Sequence, residues 1–467
     1  MKKNRIPVQE QDSLERIHNF DEVSYGYTLE EAIMEADRCI QCKNPRCVPG
    51  CPVRIDIPKF IRELRDGDIR AARDTIGLQS NLPAVCGRVC PQEEQCEGAC
   101  IVGIRGDAVN IGKLERFVGD WALLNDYKDI EKKPDNGLKI AVIGSGPAGL
   151  SCAYDLQKAG YQVTVFEALH ELGGVLVYGI PEFRLPKEKV VQKEIDLLKD
   201  LGVIFEKNVI VGRTVTIESL MNDEDFQGVF IGSGAGLPRF MGLKGENANG
   251  VMSANEYLTR ANLMKAFKED YDTPILLGID ILVVGAGNVA MDAARTAIRL
   301  GAKSSIVYRR GKEEIPARGE EVHHAEEEGV VMNLLTNPKE ILVDENGFVK
   351  GMICVKMELG EPDESGRRSP MEIKGSEFTL TCDTVIMSLG TNPNPLIPRT
   401  TKGMEITKNG CIIINEEEGE TSREGIFAGG DAVTGSATVI KAMRAGKIAA
   451  QGMMNYLDKK DKDDLKL

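Results

Sequence analysis

Eight of the twelve cysteines in this 467-residue chain fall between Cys39 and Cys100, in two tight runs. The first is Cys39-x2-Cys42-x4-Cys47-x3-Cys51, followed at once by Pro52. The second is Cys86-x3-Cys90-x5-Cys96-x3-Cys100, with Pro91 after its second cysteine. Spacings of two to five residues let several thiolates converge on one inorganic centre while the chain wraps around it. A proline directly after the last cysteine of such a run marks bacterial-type ferredoxin sequences. Three chemistries compete for thiols at this density. Disulfides belong to oxidising compartments. Structural zinc usually takes two separated Cys-x2-Cys-like pairs. Two [4Fe–4S] clusters take eight thiolates, four each, and the pattern favours them. Which cysteine serves which cluster stays open, because ferredoxin-type runs often send their last cysteine to the other cluster.

A second kind of chemistry starts after the linker at residues 132–137. The apolar stretch 138–143 runs into Gly144-Ser145-Gly146-Pro147-Ala148-Gly149, then a helical stretch to Gly160, then a strand from Gln162 that stops at Glu167. This is the strand, glycine turn, helix, strand, acid order of a dinucleotide fold. The glycines let the backbone approach a pyrophosphate at the helix N-terminus, where free N–H groups and the helix dipole favour anions. Glu167 is placed to accept hydrogen bonds from an adenosine ribose.

The pattern recurs at residues 281–290, where Gly285-Ala286-Gly287-Asn288-Val289-Ala290 carries alanine at the third glycine position, and the helix ends at Gly301. The strand after it, Ser305-Ile306-Val307-Tyr308, ends in Arg309 and Arg310 where the first site has an acid. Two guanidiniums bind a 2′-phosphate that a carboxylate would repel, so this site is expected to prefer NADPH to NADH. A third glycine-rich stretch, Gly425 to Ala432, reads as a strand ending in Gly429-Gly430-Asp431, with a helix from about Ile440 to Tyr456 after Thr438 and Val439. Asp431 suits a flavin ribityl hydroxyl, and the helix N-terminus can face an isoalloxazine.

These residues need a scaffold, and the local signals supply one. Thr28 with Glu31 forms a capping box before a helix, and Pro58 sits in the first turn of another. The predicted fold class is α/β: an N-terminal helical iron–sulfur domain (1–135), then two Rossmann-like dinucleotide-binding domains. The FAD domain is built from two stretches, 136–274 and 386–467, with the NADPH domain (275–385) inserted between them. A net charge of −14 argues against nucleic acid as a partner. No apolar run reaches the roughly 18 to 20 residues that span a bilayer. The basic start Met1-Lys2-Lys3-Asn4-Arg5 lacks the apolar core of a signal peptide, so a reducing cytoplasm is expected. His323 and His324, adjacent on a helix, are expected to be surface residues rather than a metal site.

The order of motifs resembles the family of the small (beta) subunit of NADPH-dependent glutamate synthase, which includes the large subunit of the electron-bifurcating NADH-dependent ferredoxin:NADP oxidoreductase. The residues carrying it are Cys39-Ile40-Gln41-Cys42, Cys51-Pro52-Val53, residues 82–91, Cys96 to Cys100, the first glycine turn, Gly173-Gly174 to Pro181, Tyr308-Arg309-Arg310 and Gly429-Gly430-Asp431. The N-terminal part is also similar to that of dihydropyrimidine dehydrogenase. The resemblance implies an interleaved ligand set: Cys39, Cys42, Cys47 and Cys100 on one cluster, Cys51, Cys90 and Cys96 on the other, with Glu115 or Cys86 as the last ligand. It implies that Gly174, Arg184 and Leu185 lie near the flavin and that Arg318 assists the 2′-phosphate.

The function then follows from the cofactors: FAD accepts electron pairs from NADPH and releases them singly to two [4Fe–4S] clusters, with no side-chain acid or base required. The partner implied is either a small flavoprotein and ferredoxin or a large glutamate-forming subunit, in a hetero-oligomer. A flavin disulfide reductase needs a redox Cys-x-x-Cys near its flavin, and Cys152, Cys354, Cys382 and Cys411 are isolated. A purely structural cluster scaffold would not need two dinucleotide fingerprints.

Overall fold

The computed structural model describes residues 4–128, 131–276, 278–362 and 368–464, with side chains up to residue 460. The basic Met1–Lys3 start and the end of the charged tail lie outside the described residues. The N-terminal module opens with a short antiparallel pair, β1 (Gln9–Glu10) and β2 (Ser24–Gly26). It continues through α1 (Leu29–Ala36), α2 (Cys47–Gly50), α3 (Ile57–Arg65), α4 (Ile69–Gly77), α5 (Pro83–Val89) and α6 (Ile111–Leu124). The capping box forms at α1: Glu31 N donates to the Thr28 hydroxyl and Thr28 N to the Glu31 carboxylate. Helices α5 and α6 cross in close contact, because a Cβ at Gly87 would meet the Arg116 backbone and one at Gly119 would meet Ala84.

The first sheet has five parallel strands, in the spatial order β16-β6-β3-β4-β5. Four of them, β3 (Lys139–Ile143), β4 (Gln162–Glu167), β5 (Ile204–Lys207) and β6 (Gly228–Ile231), precede the second module, and β16 (Ile426–Ala428) follows it. Helices α7 (Pro147–Lys158) and α8 (Lys193–Leu201) cover one face together with the last helix, α11 (Val439–Asp464). The hydrophobic core under these helices runs without a break into the N-terminal module, from Leu150, Phe230 and Met443 to Phe60, Val85 and Leu114.

The second sheet is also parallel, in the order β10-β9-β8-β15-β7: β7 (Val251–Ser253), β8 (Asp280–Val284), β9 (Lys303–Val307), β10 (Val331–Asn333) and β15 (Thr384–Met387). Helices α9 (Asn288–Arg299) and α10 (Gly319–Glu327) pack on one face. The other face carries an antiparallel sheet of β11 (Thr336–Val343), β12 (Val349–Pro362), β13 (Arg368–Glu372) and β14 (Phe378–Leu380). Strand β7 lies before the boundary expected at 275, so the second module begins earlier than the sequence suggested. A three-residue edge strand carries too little periodicity to be read beforehand. Among the described residues no helix is long and apolar enough to cross a membrane.

Candidate functional site

Cys39, Cys42, Cys47 and Cys100 line one cavity, floored by Ile57, Ile61 and Ile111. Burial, then the neighbouring Cys100 and Cys39, pushes the Cys47 thiol up to about 12. Gln41, between the first two cysteines, takes a left-handed backbone with φ of 50° and donates to the Cys39 sulfur at 3.5 Å. Cys51, Cys90 and Cys96 are buried together around Glu115 on α6. Burial and Glu115 push the Cys51 thiol up to about 11. Burial, with Glu194 adding, pushes the Glu115 carboxyl up to about 8, and its Oε1 has no hydrogen-bond partner. A buried carboxylate oxygen without a donor, among three thiols, suits a cationic centre. Cys86 is fully buried beside Cys90, to which its thiol hydrogen-bonds, and its sulfur also lies 3.4 Å from Met443 Sδ on α11.

The spread of these sulfurs bears on the metal. Around tetrahedral zinc, with Zn–S near 2.3 Å, sulfurs stand about 3.8 Å apart. Among the described residues one group alone, Glu10, Glu320 and His324, brings three ligand atoms within 4.8 Å of one another. Both cysteine sets are therefore wider than a single zinc ion needs. The Glu10 group is itself an ion-pair cluster, with Lys113 Nζ 2.7 Å from Glu320 and His324 Nε2 2.9 Å from Glu10.

The first glycine turn follows β3 at the point where strand order reverses, where ligands of such sheets bind. Gly144 takes φ of +97°, and a Cβ at Gly149 would meet the Gly144 carbonyl, whereas one at Gly146 meets nothing within 4 Å. The N-cap at Gly146 supplies no side-chain bond and Pro147 carries no N–H, which leaves the amides of Ala148 and Gly149 in the first turn of α7 to a ligand. Glu167 ends β4 buried, accepting from Ser145 N at 2.9 Å, Ser145 Oγ at 2.5 Å and Leu169 N at 2.8 Å. Gly174 (φ +55°) approaches Gly146, and Gly430 (φ +66°) packs between Ala148 of α7 and Ala442 of α11, so the first turns of both helices meet here. Asp431 accepts from Ala437 N at 3.1 Å and is pushed up to about 6 by burial. Thr438 Oγ1, just before Val439 opens α11, is buried without a partner.

The second turn repeats the geometry after β8. Gly285 takes φ of +124°, Gly287 faces open space, and Ala290 is buried at the packing position. Asn288 accepts from Arg318 N at 3.0 Å, and Val289 is 45% exposed. Arg309 is exposed and Arg310 buried, with the Arg310 Nε unpartnered. Neither makes an ion pair among the described residues.

Two arginines that the resemblance assigned to the cofactor sites have their side chains taken up by protein acceptors. Arg184 reaches Asp292 on α9 (2.7 Å to each oxygen) and Glu321 on α10 (2.8 Å). Leu185, beside it, is fully buried in the core. Arg318 donates to Arg88 O at 2.6 Å, Gln92 Oε1 at 3.1 Å and Glu320 at 2.8 Å, so it bolts α10 to the N-terminal module. Both are long cations that found buried acceptors across a module boundary. The two histidines also differ from expectation: His323 is exposed, but His324 is buried because β1 lies over it and Glu10 accepts its ring N–H.

The seam these residues belong to had no sequence signal. Glu328, after α10, accepts from Arg16 (2.7 Å), Arg295 (2.8 and 2.9 Å) and Arg299 (2.6 and 3.0 Å). The guanidiniums of Arg295 and Arg299 lie over the Phe183 ring at 4.7 and 3.8 Å. Glu194 of α8 was also missed. Its carboxylate accepts from Ala84 N (2.7 Å) and Val85 N (3.3 Å), capping α5, whose own N-cap Leu82 offers no side-chain acceptor.

Residues 16–127 match the family described as dihydropyrimidine dehydrogenase domain II, 4Fe-4S cluster. Residues 138–446 match the family described as pyridine nucleotide-disulphide oxidoreductase. The glutamate synthase [NADPH] small chain of Escherichia coli is 38% identical over 447 residues, covering 94% of each chain. The NADP(+)-dependent formate dehydrogenase subunit beta of Moorella thermoacetica is 38% identical over 88% of this chain, which spans 60% of that subunit. Among solved structures, Mycobacterium tuberculosis FprA in complex with NADPH superposes with a TM-score of 0.59 at 19% identity, over 71% of this chain and 86% of that one. That likeness is one of fold.

Proposed function

We propose, because the chain belongs to the glutamate synthase small-chain family, that it works as an NADPH-dependent flavin and iron–sulfur oxidoreductase subunit passing electrons to a partner. The observation carrying this reading is the Cys86–Met443 contact at 3.4 Å, inside a core shared by the cysteine module and the first dinucleotide module. Long-range redox chemistry needs such continuity, and modules joined only by a linker would not have it.

On this reading the first crevice takes FAD. Gly144, Gly146, Pro147, Ala148 and Gly149 cradle the pyrophosphate, Glu167 holds the ribose, and Gly174, Gly430, Asp431, Thr438 and Val439 lie toward the ring. Bound there, a flavin exchanges electron pairs with nicotinamide and single electrons with iron–sulfur centres, which is the chemistry the reaction requires. The second crevice takes NADPH: Gly285, Gly287, Asn288 and Val289 lie against its pyrophosphate, and Arg309 and Arg310 hold the 2′-phosphate. Two [4Fe–4S] clusters are assigned to Cys39, Cys42, Cys47 and Cys100, and to Cys51, Cys90, Cys96 and Glu115. Cys86, hydrogen-bonded to Cys90 and packed on Met443, is the alternative to Glu115 in the second set.

The rim of the first set carries exposed Lys43, Arg46 and Arg105 beside exposed Ile40 and Ile104, with no ion pair on these cations among the described residues. On a chain of net charge −14 this cationic rim favours an acidic one-electron acceptor. That matches a bifurcating oxidoreductase that also serves a small flavoprotein. A glutamate-forming partner is the second reading, favoured by the 94% mutual coverage with the Escherichia coli small chain.

The test is anaerobic purification of the native complex, with its subunits identified and its cofactors counted. One flavin with about eight iron and eight labile sulfide per chain, bleached by NADPH, is the expected result. A colourless or zinc-only preparation would refute the assignment.

A further inference from the structure

The strands of the second sheet begin at Asp280, Lys303 and Val331, at the edge opposite the Gly285 turn. A cavity of about 560 Å³ opens there. Its walls come from two modules: Ile17 and His18 of the N-terminal segment face the end of α9, the start of β9 and Glu328. This volume lies within the range of small-molecule sites.

Its polar lining is unbalanced toward donors. Ser304 is 2% exposed and its hydroxyl has no hydrogen-bond partner. Arg299 is 8% exposed; its two terminal nitrogens reach Glu328, but its Nε has no partner. Lys303, at the mouth, is exposed and forms no ion pair among the described residues. Of the two carboxylates on the wall, Glu328 is already filled by three guanidiniums, and Asp280 is exposed at the rim. Buried donors left without acceptors in a roomy cavity are the mark of a missing partner.

We propose that this cavity binds a small organic anion, through a carboxylate or phosphate group held by Ser304, Arg299 and Lys303, separately from the dinucleotide crevices. Occupancy also ties the N-terminal segment to the second module, because Ile17 follows Arg16, which already reaches Glu328.

The test is calorimetric titration of the intact holoprotein with inorganic phosphate and with succinate, each with and without saturating NADP(+). Saturable binding of at least one probe, unaffected by NADP(+), is expected, with slower hydrogen exchange in residues 13–20. Phosphate binding alone identifies a phosphorylated ligand, and succinate binding alone a carboxylic acid. Ser304→Ala should weaken binding by about tenfold, as loss of a hydrogen bond to a charged group does. Lys303→Gln, at an exposed strand end opposite Asp280, should weaken it as well. Absence of binding by both probes, displacement by NADP(+), or binding unchanged in both variants would overturn the proposal.

Discussion

Glu328→Gln tests whether the seam around α10 holds the N-terminal segment and the second module together. The wild-type side chain is fully buried and accepts five hydrogen bonds from three guanidiniums. Glutamine keeps the volume but removes the charge and turns one acceptor into a donor facing cations. Breaking a buried ion pair by removing one partner costs about 3–5 kcal/mol; Arg16 keeps Glu327 and Arg295 keeps Glu321, so Arg299 alone loses its acid and the lower end applies. Arg16→Ala removes one spoke and leaves Glu328 doubly paired. Arg16's other acid, Glu327, is 39% exposed, so this variant costs only about 1.5–3 kcal/mol. Hydrogen exchange of the intact holoprotein, read on peptides covering residues 13–20 and 319–328, separates local opening from global unfolding. In Glu328→Gln both segments should open more often by a factor of about 150 or more. In Arg16→Ala the change should be smaller and concentrated in residues 13–20. Burial opposes ionisation of Glu328, but Arg295 and Arg299 outweigh it and hold its carboxyl below the ordinary range. A depressed folded-state pKa contributes stability above the unfolded value and loses it as pH falls, so wild-type protection in both segments should fade below about pH 4. A Glu328→Gln effect under tenfold, or an equal effect from Arg16→Ala, would refute the hub.

Replacing Arg309 and Arg310 together with alanine should lower kcat/KM for NADPH by about ten- to a hundredfold, with Arg310, the buried one, contributing the larger share. The NADH value should barely move, and equal losses with both coenzymes would remove the 2′-phosphate role. Glu115→Ala should reduce iron and sulfide to about four each, while Cys86→Ser should keep about eight; the opposite result would exchange their roles. Glu194→Ala strips two buried amides of α5 of their acceptor, at about 1–3 kcal/mol. Faster aerobic bleaching of the visible spectrum should follow, and an unchanged bleaching rate would show that the cap does not protect the second cysteine set.

What was legible in the sequence is what short stretches decide alone. The Thr28–Glu31 capping box and the turns at Gly144 and Gly285 depend on backbone geometry within a few residues, and their residue types cannot be exchanged freely. Division of the first sheet between residues 139–231 and 426–428 was legible because each half carries its own glycine turn. Long cations were not legible. Arg184 and Arg318 chose acceptors more than a hundred residues away, a choice made by tertiary proximity rather than local pattern. His324 was misplaced for a related reason: helix periodicity tells which faces differ, not that β1 covers one of them. The antiparallel sheet of β11 to β14 went unread although β12 alternates between buried and exposed positions over part of its length, a usable period-two signal. Glu115 sits inside an ordinary amphipathic helix: the family resemblance offered it beside Cys86, but no local pattern carries its isolation from donors in three dimensions.

The gradient of burial orders the two cysteine sets. Cys86, fully buried, touches Met443 on the helix whose first turn meets the first crevice. Cys51, Cys90 and Cys96 come next and are buried, whereas Cys39, Cys42, Cys47 and Cys100 are all partly exposed. Were the proposed cofactors bound, the second set would lie between α11 and the first, whose cationic rim of Lys43, Arg46 and Arg105 is at the surface. Desolvation makes added charge expensive at the inner set, where Glu115 already lacks a donor, and cheaper at the outer set, where water and the rim cations screen it. The same fold feature, helices of the cysteine module packed on the core of a dinucleotide sheet, thus sets the inner cysteines beside α11 and leaves the outer ones at the surface.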